Sequence, residues 1–219
     1  MNIIHSFYNL ILDALFPLSS TERELFSYTP EQALTLLPPA PDYSRLAVPL
    51  PHTHSLFAYK DPRVSALIWN IKYKKSEPAV VIAGYALTQT LQKEFAQRPL
   101  LIVPLPITNR RRKERGFNQC ELIIEEMKKL TSKDSSIYYS DSILERIHHD
   151  DRHTLKGRRD RVESASGIFA VDEEIAEKFM VSFKNTHTPL RDMSIIVIDD
   201  VITTGSTMQE AISTLKKYG

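Results

Sequence analysis

Ile195-Ile196-Val197-Ile198-Asp199-Asp200-Val201-Ile202-Thr203-Thr204-Gly205-Ser206-Thr207 is the stretch whose reading decides the fold. Four β-branched apolar residues in succession predict a strand buried on both faces. Two carboxylates follow, then a short loop of Thr, Gly and Ser. From Thr207 onward Met208, Ala211, Ile212 and Leu215 recur at helical spacing. The unit is strand, acidic pair, hydroxyl-and-glycine loop, helix. A helix N-terminus offers free N–H groups and partial positive charge, which together attract a phosphate. Thr203, Thr204, Ser206 and Thr207 add hydroxyl donors, and Gly205 lets the backbone approach a ligand closely. Adjacent Asp199 and Asp200 repel phosphate but suit sugar hydroxyls, or a divalent metal that arrives with the phosphate. Phosphate, sugar diol and metal together describe a phosphorylated ribose.

This stretch resembles the phosphoribosyl-pyrophosphate (PRPP) motif of type I phosphoribosyltransferases: an apolar strand, two acids, then Thr-Thr-Gly-x-Thr. No Lys follows the Gly, so it is not a P-loop. The resemblance implies that Asp199, Asp200, Val201, Thr203, Thr204, Gly205, Ser206 and Thr207 hold PRPP, with Mg²⁺ carried by the ligand.

With 219 residues, the chain suits one α/β domain with an additional segment, or two small domains. Its formal net charge of +1 favours no class of partner in bulk. A single cysteine, Cys120, excludes an internal disulfide and a multi-cysteine zinc site, and fits a reducing cytoplasm. No apolar run approaches the roughly 20 residues a membrane span needs, and the first residues lack the basic start of a signal peptide.

Residues 3–16 have the spacing of an amphipathic helix ended by Pro17, and residues 17–55, with seven prolines, read as a weakly structured lead-in. A short helix over 31–37 is started by Pro30 or Thr29. His52 and His54 lack further ligands and read as a solvated loop. Residues 56–59 read as a strand, 64–73 and 78–95 as helices, 100–103 as a buried strand stopped by Pro104-Leu105-Pro106. Trp69 reads as packing on the polar side of its helix, and Cys120 as a small buried residue.

Next comes the basic run Arg110-Arg111-Arg112-Lys113-Glu114-Arg115, followed by Gly116-Phe117-Asn118-Gln119. It has two functional readings: a mobile loop that closes over pyrophosphate, or a nucleic-acid patch. A helix over 121–130, strands over 143–147 and 168–171, a helix or loop over 172–180 and a polar connection over 181–191 follow. His148, His149 and His153 with Asp150 and Asp151 lie among basic residues and read as a surface loop. Strands alternating with helices predict a parallel sheet, with ligands beyond the carboxyl ends of its strands. That rule puts residues 104–119 and 199–207 on one rim. After Leu215-Lys216-Lys217-Tyr218-Gly219 an α/β domain usually returns to another strand, so the expectation is a sheet short of one edge strand or a truncated domain.

Val103-Pro104-Leu105-Pro106, Arg111-Arg112-Lys113-Glu114-Arg115-Gly116-Phe117-Asn118-Gln119, Gly167-Ile168-Phe169-Ala170-Val171 and the stretch over 195–207 together resemble the ComF family, which includes GntX-type proteins. Ile71-Lys72-Tyr73 also fits, and the resemblance covers about residues 56–219. It implies an α/β fold: a type I phosphoribosyltransferase-like parallel sheet flanked by helices, with residues 1–55 as a helical and Pro-rich extension. Family members begin with a cysteine-rich zinc-binding segment. Here Leu15-Phe16-Pro17 is present without following cysteines, so no zinc is expected. The implied activity is pentosyl transfer from PRPP with release of pyrophosphate. Asp199, Asp200, Arg111 and Arg115 would be catalytic, and Pro104, Leu105, Arg112, Lys113, Gly116 and Asn118 would serve the pyrophosphate loop. The alternative is a non-catalytic competence or DNA-uptake factor that senses a nucleotide, or holds single-stranded DNA or a helicase-type partner. A homodimer is compatible with either.

Overall fold

The computed structural model describes residues 17–41, 52–96, 98–132, 135–147, 161–163, 167–184 and 192–218. The expected helix over 3–16 and the histidine segment over 148–153 lie outside the described residues. β1 (Leu100–Pro104) is the centre, and all five of its residues are buried. A strand sends successive side chains to opposite faces. Leu100 and Ile102 accordingly join one core cluster, and Leu101 and Val103 join the other. β1 pairs in parallel with β2 (Ile137–Tyr139) on one side and with β6 (Ser194–Ile198) on the other. The expected parallel α/β sheet is therefore present.

The first face of the sheet is covered by α2 (Pro30–Leu36), α4 (Glu77–Glu94) and α6 (Gln119–Leu130). α4 and α6 pack closely enough that a Cβ on Gly84 would lie 2.8 Å from Glu126 Cβ. The second face meets a separate antiparallel sheet in the order β3 (Leu144–Arg146), β5 (Phe169–Asp172), β4 (Arg161–Glu163). α7 (Glu173–Lys184) and α8 (Ser206–Tyr218) complete that side.

Several expectations need correction. Residues 17–41 are not a loose lead-in. α1 (Ser20–Ser27) and α2 each open with a capping box, on Ser19/Glu22 and on Thr29/Gln32, which satisfies N–H groups that a helix start leaves free. Leu25, Ala33 and Leu37 are buried in the same core as Leu100. Thr29 and Pro30 both act in α2, as cap and first residue. Residues 56–59 form no strand, only a bridge between Phe57 and Pro39. α3 (Pro62–Trp69) does not run straight to residue 73 but widens into a π-helical turn over Asn70–Lys74. α7 continues through residues read as a polar connection. β6 is not buried on both faces: it has only β1 beside it among the described residues, and Ile195 is 46% exposed.

Candidate functional site

The parallel pairing of β1 and β6 sets the site. Pro104 stands opposite Ile198, and Leu105 N–H donates to Ile198 O at 2.9 Å. Two chain segments therefore leave the same sheet end side by side, as the rim argument requires. One begins with Asp199 and Asp200, the other with Leu105.

The acidic pair is less open than a strand-end position implies. The Asp200 side chain is only 6% exposed, and its Oδ2 lies 2.8 Å from Lys72 Nζ on the π-helical turn. That contact is an ion pair without an aligned hydrogen bond, so Asp200 Oδ2 keeps an acceptor site unfilled. Asp200 N–H donates to Asp199 Oδ1 at 2.8 Å. Burial first, and the neighbouring Asp200 charge second, push the Asp199 carboxyl up to about 6; the Asp200 N–H and Lys72 oppose this. Two carboxylates thus share one ammonium. Oxygen donors with surplus negative charge fit a hard divalent cation such as Mg²⁺, and they also fit a ribose diol donating its O–H groups.

Beyond the pair, Val201 and Ile202 are half-buried, while Thr203, Thr204, Ser206 and Thr207 are exposed. Gly205 adopts φ 75°, a left-handed conformation that β-branched residues resist. Its carbonyl accepts from Gln209 N–H at 2.8 Å, which starts α8. Thr204 and Ser206 hydroxyls lie 3.1 Å apart. Thirteen residues of helix stand behind this start, with Ala211, Thr214 and Leu215 buried against the core. The loop thus presents exposed hydroxyls beside a helix N-terminus, an arrangement that favours an anion.

The second segment departs from expectation. The basic run is not a loop but α5 (Asn109–Arg115), capped by Thr108, whose Oγ1 accepts from Arg111 N–H at 3.2 Å. Three of its five cations, Arg112, Lys113 and Arg115, fall in the last turn, where the helix dipole favours them. Gly116 ends it at φ 79°, with Gly116 N–H donating to Arg112 O. Arg110 pairs with Glu114 at 2.7 Å, and Arg112 pairs with Glu121. Arg115 donates to Gln119 Oε1 at 3.0 Å and lies over the Tyr73 ring. Arg111 and Lys113 are exposed. No contact recorded among the described residues joins Arg111 or Arg115 to the acidic pair. Asn118 holds the rim together: it caps α6 through Cys120 N–H, and its Nδ2 donates to Leu105 O at 3.1 Å.

Lys72 is the site residue that sequence reasoning missed as such. Its proximity to Asp200 comes from a contact 128 positions away in the chain, with only the Ile71-Lys72-Tyr73 run as a signal. Arg146 stacks over Phe169 at 5.2 Å, and its guanidinium is lowered by burial and by Arg111, while Glu210 opposes the shift. Glu210 Oε1 is buried without a hydrogen-bond partner. Cys120 is buried as expected; burial and the charges of Asp199 and Asp200 raise its thiol, so it is a poor nucleophile.

No protein-family model matches the chain, and no solved structure does. Three curated relatives have names that bear on function. DNA utilization protein YhgH of Salmonella typhimurium is 25% identical over 203 residues, 90% of this chain and 81% of the relative. Competence protein F of Haemophilus influenzae is 29% identical over 123 residues, covering 55% and 46%. Competence protein ComFC of Bacillus subtilis is 24% identical over 172 residues, covering 78% and 60%. The chain spans from under half to about four fifths of the lengths of these relatives.

Proposed function

From the premise that the chain is a ComF-family protein, as its competence and DNA utilization relatives support, we propose that it is a DNA-handling factor with a ribose-phosphate site at Asp199–Thr207. The ligand is PRPP or a related ribose phosphate taken up with Mg²⁺. The observation that carries the reading is the half-buried acidic pair followed by an exposed hydroxyl loop, with Gly205 at positive φ and a 13-residue helix behind it.

Each part has a task. The α8 N–H groups and the hydroxyls of Thr203, Thr204, Ser206 and Thr207 donate to phosphate oxygens. Asp199 and Asp200 accept from the ribose hydroxyls or share the cation. Bound Mg²⁺ supplies positive charge to the carboxylates and the diphosphate. Lys72 holds Asp200 in place until ligand or cation competes for it. Phosphoribosyl transfer stands second to ligand sensing. Arg112 is engaged by Glu121, and no contact among the described residues brings Arg111 or Arg115 to the acidic pair, so the arginines are not arranged around a leaving pyrophosphate.

Calorimetric titration of Mg–PRPP into the chain and into Asp199→Asn/Asp200→Asn tests the site. Saturable binding that the double variant loses supports it; absence of binding to the unaltered chain overturns it. Incubation with PRPP and each nucleobase, with pyrophosphate as the readout, separates the two roles. Turnover would establish transfer in place of sensing.

A further inference from the structure

The π-helical turn that sends Lys72 to the acidic pair also builds a second surface. Trp69 and Tyr73, one helical turn apart, are 48% and 60% exposed. Their ring centroids lie 5.6 Å apart, with planes tilted by 45°. Cations sit over these rings and the next: Lys74 at 5.0 Å over Trp69, Arg115 at 5.2 Å over Tyr73, and Lys75 at 5.8 Å over Phe117. Beside them runs a groove of about 460 Å³, lined by Tyr59, Pro62, Ala66, Trp69, Lys72 and Tyr73. Tyr59 is 49% exposed.

This arrangement is not explained by core packing, since the rings face solvent. Nor is it a loose surface. The turn is held from beneath by Asn70, whose Nδ2 donates to Glu22 Oε1 at 2.7 Å, and by Lys74, which pairs with Glu22 at 3.1 Å. Lys75 ends it at φ 50°, with Ser76 N–H donating to Asn70 O. A widened turn of this kind often marks a functional position. The local acids are matched: Glu22 by Lys74, Asp61 and Glu24 by Arg63. Lys75 and Arg115 have no ion pair among the described residues, so the face has surplus positive charge beside exposed rings.

We propose that the face formed by Tyr59, Trp69, Tyr73, Lys75 and Arg115 binds single-stranded nucleic acid. Exposed rings stack on bases regardless of sequence, and interleaved cations follow the phosphates. A duplex keeps its bases stacked on one another and cannot offer them to Trp69 and Tyr73. The proposal stands independently of PRPP binding. It does add a link between the two surfaces, because Lys72 lines the groove and pairs with Asp200.

Trp69 is the sole tryptophan, so its fluorescence reports this face alone. The full chain is titrated with an oligothymidylate, and a labelled copy of the same strand is followed by anisotropy. Quenching of Trp69 is expected, with affinity reduced about tenfold in Trp69→Ala and in Tyr73→Ala. Arg115→Ala should reduce the salt slope by about one unit. Trp69→Ala should lose strand affinity while keeping the parent's response to Mg–PRPP in calorimetry, which separates failure here from failure of the ribose-phosphate site. Circular dichroism checks the fold of each variant. The proposal is overturned if the strand leaves Trp69 fluorescence and the ring variants' affinity unchanged. It is equally overturned if duplex or mononucleotide binds as tightly as the strand. A concentration-dependent dimer abolished by Trp69→Ala would assign the face to a second copy instead.

Discussion

Replacing Asp199 by Asn should stabilise the fold and should do so less as the pH falls. The Asp199 carboxyl rises from 3.8 to about 6, through burial and then the Asp200 charge. At 1.36 kcal/mol per unit, keeping it ionised costs about 3 kcal/mol. The sign follows from the raised folded value. Protonation favours the folded state, so this contribution is full below the unfolded value and is lost as the pH rises through about 6. Lowering the pH from 8 to 5 should therefore return roughly half of this to the unaltered chain through this group. Asn keeps an Oδ1 that accepts from Asp200 N–H, now 2.8 Å away, so little else is lost. Asp199→Asn should be more stable by about 3 kcal/mol at pH 8 and by about half as much at pH 5. Urea unfolding of both proteins at the two pH values measures the difference. A gap that stays constant between pH 5 and 8 would refute the account of a strained acidic pair. So would a variant less stable than the parent at pH 8. Mg²⁺ should raise the melting temperature of the parent more at pH 8 than at pH 5, because the cation competes with the proton.

Three further outcomes follow from local geometry. Gly205→Val should cost roughly 1–2 kcal/mol from its left-handed backbone alone, and Mg–PRPP calorimetry should show binding lost; normal affinity would place the phosphate elsewhere. Gly84→Ala should destabilise the chain by about 1–3 kcal/mol, because its new Cβ would meet Glu126 across the α4–α6 contact; an unchanged urea midpoint would disprove that closeness. Burial alone would raise the Glu22 carboxyl, but Asn70, Ser19 and Lys74 lower it to about 2, so its contribution is present above about 4.5 and lost as the pH falls toward 2. Glu22→Gln should flatten acid unfolding over that window, and an unaltered acid transition would count against the network.

The strand and helix around the acidic pair were legible because they rest on local rules. Ile196–Ile198 needed only apolar pattern, and α8 needed only Gly205 and the spacing of Ala211 and Leu215. The common rim also followed, since parallel strands alternate with helices and send their following loops to one end. Other features were settled by contacts distant in sequence. A run of cations gives no apolar period, so α5 was hidden until Thr108 capped it and Glu114 and Glu121 paired its arginines. Prolines over 17–41 masked α1, while Thr29 and Pro30 made α2 legible; the stability of both comes from capping boxes and from burying Leu25 and Ala33 against α3 and α4. The exposure of Ile195 depends on how many strands flank β6, which composition does not encode. Residue types and order alone thus determined the acidic pair, the hydroxyl loop and the parallel strand–helix alternation. Tertiary structure decided the upward shift of the Asp199 carboxyl and the pairing of Asp200, because burial and the approach of Lys72 through a π-helical turn act through space.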